Sequence, residues 1–72
     1  MYYVQAKPIL QVTRLKLGLF QQEICERANI TVPSYSRVEN GARTRGKTAR
    51  AIADALDLDF DDLFEIVVNE NV

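Results

Sequence analysis

Residues 20–41 read FQQEICERANITVPSYSRVENG, and their spacing decides the fold. Ile24 and Ala28 lie four apart with Cys25 beside them, so they line one face of a helix over Gln21–Ala28. Tyr35 and Val38, three apart, line one face of a second helix over Val32–Asn40. Between the two, Asn29 is one of the few non-glycine residues that tolerates the left-handed conformation a helix C-terminus often needs. Ile30 then turns inward to plug the corner. Thr31 is a good N-cap, and Pro33 falls in the first turn of the second helix, where a missing N–H costs nothing. Gly41 ends that helix, after Asn40. Cys25 suits the place where two helices cross closely, because only a small side chain fits there. The stretch predicts a helix, a tight turn and a helix.

Outward from it, the rest of the chain falls into short elements. Tyr3 alternates with Tyr2 and Val4, which predicts a strand over Tyr2–Gln5. Pro8 opens a helix that runs to about Leu17 and stops at Gly18. Leu10, Arg14 and Leu17 share one face of it. Ile9, Val12 and Leu15 spread apolar surface round much of the rest, more than one buried face needs. On the other side, residues 42–46 read ARTRG, a polar basic loop. A helix follows over Lys47–Leu56, built on Ala49, Ile52, Ala53 and Leu56. Asp57-Leu58-Asp59 breaks it, with Asp59 as the next N-cap, and Phe60, Leu63 and Phe64 make a short helix ending near Glu65. Ile66-Val67-Val68 is β-branched and reads as a strand over 66–68. The two terminal strands would pair antiparallel, within one chain or across a dimer.

With 72 residues the chain is expected to form one small domain, 1–72, of modest stability. One cysteine excludes an internal disulfide, and without histidine neither a zinc site nor another metal centre is expected. No apolar run reaches membrane length and no signal-peptide pattern opens the chain, so a soluble, cytoplasmic protein is expected. The net charge of −1 hides a strong asymmetry. Residues 1–56 carry all nine Lys and Arg against four acids, Glu23, Glu26, Glu39 and Asp54, leaving +5; residues 57–72 carry six acids and no base, leaving −6. A basic body with an acidic tail suits a partner with a phosphate backbone.

Catalysis finds no support. Without histidine the common triads are absent, so no catalytic residue and no cofactor is expected. Asp57, Asp59, Asp61 and Asp62 lack the glycine and terminal glutamate of a calcium loop. Cys25 has Glu23 and Glu26 nearby and no cationic neighbour in sequence to make it a thiolate, so it reads as a small core residue.

The segments Gly18-Leu19-Phe20-Gln21-Gln22-Glu23-Ile24-Cys25 and Ser36-Arg37-Val38-Glu39-Asn40-Gly41 resemble the helix-turn-helix of the Cro and phage-repressor family, the xenobiotic-response-element type. The resemblance extends from about Leu10 to Phe64 and includes Arg14-x-x-x-Gly18-Leu19, Ile52-Ala53-x-Ala55-Leu56 and Asp61-Asp62-Leu63-Phe64. Three positions depart from the pattern. Asn29 replaces the usual glycine of the turn, Cys25 the usual alanine, and Phe20 the usual Ser or Thr N-cap, which leaves that helix without a side-chain cap. The resemblance implies an all-α, five-helix, lambda-repressor-like DNA-binding domain, here with short N- and C-terminal β-strands. It implies a bacterial or phage transcriptional regulator, a repressor acting by occlusion, that binds a palindromic operator in double-stranded DNA as a homodimer. Such a protein would be nucleoid-associated when bound. The alternative is an antitoxin or other protein-binding partner on the same fold, engaging a second protein through its acidic C-terminal tail or terminal strands.

Within that reading, base edges are reached from the start of the helix at 32–40, by Val32, Pro33, Ser34, Ser36 and Arg37. Arg37 is the strongest candidate, since a guanidinium bonds guanine O6 and N7 as a pair, while Val32 and Pro33 suit thymine methyls. Gln21 and Asn40 match family positions that grip phosphates. Arg43, Arg45 and Lys47 lie in or beside the following loop, and Arg50 is expected to face the same way. Arg14 and Glu39 match a pair that in this family forms a largely buried salt bridge.

Overall fold

The computed structural model describes residues 2–68. These form, in order, β1 (Tyr2–Ala6), α1 (Ile9–Lys16), α2 (Gln21–Ala28), α3 (Val32–Glu39), α4 (Gly46–Ala55), α5 (Phe60–Leu63) and β2 (Phe64–Val68). Glu70, the last acid of the tail, lies outside the described residues. Five helices with two short strands are therefore the architecture, and no described helix is long and apolar enough to cross a membrane.

The core is built where the apolar stripes meet. Leu10 of α1, Ile24 of α2, Tyr35 of α3, Ile52 of α4, Leu63 of α5 and Phe64 of β2 are fully buried. Ala49 and Ala53, both buried, present a small-residue surface on α4, against which α2 packs. Cys25 is buried beside Ile24, and burial holds its thiol above the usual range. The turn between α2 and α3 follows its residue chemistry. Asn29 takes the left-handed conformation (φ 58°), with its N–H on the Cys25 carbonyl. Thr31 caps α3 by accepting the Ser34 N–H at 3.3 Å, and Ile30 packs against the core.

The boundaries differ from the sequence reading in physically informative ways. The first helix stops at Lys16; Leu17 follows it as a C-cap and is 53 % exposed, not part of the buried face with Leu10 and Arg14. Leu19, beyond the Gly18 turn, packs on the core instead. The last helix ends at Leu63, not near Glu65, because Phe64 is drawn into extended pairing opposite Ala6. That pairing lengthens both strands beyond 2–5 and 66–68. They pair antiparallel within the chain, Tyr2 opposite Val68, Val4 opposite Ile66 and Ala6 opposite Phe64. Paired residues share a face. The face holding those six starts inside the core at Ala6 and Phe64 and runs outward to Tyr2, Ile66 and Val68, which are exposed. The loop after α3 reaches the other edge of β1, where Thr44 bridges Val4.

Candidate nucleic-acid interface

The position of α3 is set by a buried ion pair. Arg14 donates to both Glu39 oxygens, from Nε at 2.9 Å and from Nη2 at 2.8 Å, and its Nη1 donates to the Leu19 carbonyl at 2.9 Å. One guanidinium thus ties α1 to the end of α3 and to the chain entering α2. The fork geometry fixes orientation as well as distance. Burial alone would raise the Glu39 carboxyl, but the Arg14 hydrogen bonds, the nearby Tyr35 hydroxyl and the Gln21 amide outweigh it and hold the group below the usual carboxylate range. The Tyr35 hydroxyl lies beside this pair without a hydrogen bond of full geometry among the described residues. Burial, then the Glu39 charge, raises its phenol above the ordinary value.

With α3 held this way, Val32, Pro33, Ser34 and Arg37 are exposed and Ser36 is half-buried. The Ser34 hydroxyl accepts from Thr31 Oγ1 at 2.8 Å, so its own proton is left for an outside acceptor. Asn40 is the exposed C-cap of α3. A shallow groove beside the helix is lined by Ser34, Arg37, Arg43, Arg45 and Thr48. It brings the arginine of α3 together with two from the basic loop.

The electrostatics of α4 reinforce that groove. A helix dipole favours acids in the first turn and bases in the last. Here Arg45 is the N-cap and Lys47 follows in the first turn, no acid lies in the first turn, and Asp54 sits near the other end. The first turn does not complement the dipole and the N-cap side chain makes no capping bond, whereas at the other end Arg27 of α2 donates to the Ala55 carbonyl at 3.3 Å. The amide end of α4 and its bases therefore present an uncompensated positive site suited to phosphate.

Other expected contacts are placed differently. Gln21 is half-buried and its amide donates inward to Glu39 at 3.3 Å. Glu23 accepts the Phe20 N–H at 2.9 Å, the reciprocal half of a capping box, while the Glu23 N–H that a Ser or Thr side chain would take goes to the Phe20 carbonyl at 3.1 Å. Lys47 lies against the turn residues Asn29 and Ile30, not in the groove with Arg43 and Arg45. Arg50 lines a separate hollow with Asp54, Asp57 and Asp59, so it does not join the basic loop.

Three residues at this site escape any reading of local spacing. The Thr44 N–H donates to the Val4 carbonyl at 2.9 Å, Gln5 Nε2 donates to the Gly41 carbonyl at 2.7 Å, and the Arg43 guanidinium carbon lies over the Tyr3 ring, 4.2 Å from its centre. The first strand thus holds the loop at its start, at its middle and at its first arginine. Partners some forty residues apart leave no periodic trace.

The helix-turn-helix family model matches residues 10–63, which is 54 of the chain's 72 residues. No curated protein and no solved structure matched. The chain belongs to the helix-turn-helix family of the Cro and phage-repressor, xenobiotic-response-element type, and is a DNA-binding regulator.

Proposed function

We propose that this helix-turn-helix regulator is a repressor that binds a palindromic operator as a homodimer, with α3 in the major groove and residues 1–72 working as one cytoplasmic domain. The observation that carries the reading is the groove where exposed Arg37 on α3 meets Arg43 and Arg45 beside the uncompensated start of α4. Bases are read by Arg37, with Ser34, Ser36, Val32 and Pro33 completing the contact face. Phosphates are held by Arg43, Arg45 and Lys47, by Asn40, and by Gln21 through its backbone N–H at the start of α2.

The second copy is supported by the ribbon. Tyr2, Ile66 and Val68 are 71 %, 62 % and 51 % exposed on one face, and a two-stranded ribbon is marginal in water unless such a face is covered. Thr44 occupies the far edge of β1 at Val4, which leaves β2 as the open edge of the ribbon. A two-fold contact through that element is self-complementary, and reading two half-sites one turn apart requires the two α3 helices about 34–36 Å apart.

Selection of bound sequences from randomised duplexes, combined with sedimentation of the complex, tests the whole reading. The expected product is a two-fold-symmetric site occupied by two chains. Enrichment of a single asymmetric site bound by one chain would overturn the homodimer, and no enrichment at all would overturn sequence-specific regulation.

A further inference from the structure

The strand that grips the basic loop has its own part in DNA binding, on the premise that Arg43 contacts phosphate. We propose that Tyr3 and Gln5 are positioning residues, which hold the loop in its binding conformation and aim the Arg43 guanidinium. The bridge between Val4 and Thr44 sets the geometry. In an antiparallel bridge, the neighbours on either side of the paired residues project to the opposite face. That places Tyr3 and Gln5 on the same side as Arg43 and Arg45. Gln5 fixes the start of the loop at the Gly41 carbonyl, and the Thr44–Val4 bond fixes its middle.

The contact with Tyr3 does not use up the arginine. A guanidinium carries five N–H donors and one ring cannot occupy them all, so donors remain for a phosphate. Among the described residues Arg43 makes no hydrogen bond or ion pair. A loop arginine is ordinarily free to sample many rotamers and loses that freedom on binding. The tether removes part of that loss in advance.

The test is a double-mutant cycle read by fluorescence anisotropy on a labelled duplex of mixed sequence, across a salt series, with folding checked by circular dichroism. Tyr3→Leu is expected to weaken binding about two- to fivefold, the worth of one exposed cation–π contact. Tyr3→Phe, which keeps the ring, is expected to bind like wild type. Gln5→Ala, which frees the start of the loop, is expected to weaken binding as well. In an Arg43→Ala background, Tyr3→Leu is expected to add nothing. Equal weakening by Tyr3→Leu with and without Arg43 would show a general structural role and overturn the proposal. So would wild-type binding by both Tyr3→Leu and Gln5→Ala while Arg43→Ala is impaired. An Arg43→Ala variant that binds like wild type at every salt concentration would instead remove the phosphate reading, and the positioning role with it.

Discussion

Glu39, its side chain 2 % exposed, keeps its charge because Arg14 meets both its oxygens. Breaking that pair leaves a buried charge alone, so Glu39→Gln is expected to cost about 3–5 kcal/mol in a urea titration, whereas replacing both partners by apolar residues of similar volume should be close to neutral. The sign of the pH dependence follows from the lowered carboxyl. Its contribution is present above the ordinary value of 4.5 and is lost as pH falls through the lower folded value. Stability measured from neutral pH downward should therefore drop in that acid range, and a flat profile there would contradict the buried pair. Arg37 is exposed on α3, and its proposed role is in base reading, not in stability. Arg37→Ala is expected to lose roughly 1–3 kcal/mol on the cognate site and to relax preference at one base position per half-site. Selection from randomised operators reads this directly, and unchanged preference would reduce Arg37 to a backbone contact. Several single residues were legible because their chemistry is local: Asn29 in the left-handed turn, Thr31 as a cap, Tyr35 and Val38 on the buried face. Gln21 was not, since its inward turn depends on a carboxylate 18 residues away.

At the level of elements, periodicity located every helix among the described residues, and it misled at Leu17, which caps α1 in the open, and at the helix-to-strand change at Phe64. Phe60, Leu63 and Phe64 fit a helical stripe, and the Phe60 and Phe64 rings do stack, 5.5 Å apart. Pairing with Ala6 nonetheless makes Phe64 extended, and nothing within its own neighbourhood announces that partner. The ribbon that results carries the next prediction. Ile66 and Val68 are exposed, so changing both to lysine should alter the stability of a single chain by no more than about 0.5 kcal/mol per site. The same change buries charge in the proposed two-fold contact and should shift the sedimenting species from dimer to monomer. Truncation before Glu65 should weaken dimerisation and operator binding together while sparing most helical content. Either variant remaining a dimer with normal operator affinity would place the interface elsewhere, for instance on α1, where Val12 and Leu15 stand exposed.

Charge is unevenly spread along α4. Its ten residues span about 15 Å, with Arg45 and Lys47 at one end and the acids Asp54, Asp57 and Asp59, joined by Arg50, around the other. Binding is expected to weaken steeply with salt, with a log–log slope of roughly −0.9 per phosphate neutralised. Arg43→Ala and Arg45→Ala should each flatten that slope and weaken all sequences alike. If both variants follow the wild-type slope, the loop is not a phosphate clamp. The charge division was legible in the sequence, because it needs only counting; that Arg45 and Lys47 sit at the amide end of α4 needed the helix boundaries. This polarity also bears on the time before contact. A body of net charge −1 gains nothing from its total charge on nearing a polyanion, yet the field of DNA exerts a torque on separated charges of opposite sign. The chain should arrive turned, loop and α3 leading and acids trailing, so that a larger share of collisions is productive. Steering of this kind acts on the association rate, which should therefore fall with ionic strength even though the protein and DNA are alike in sign.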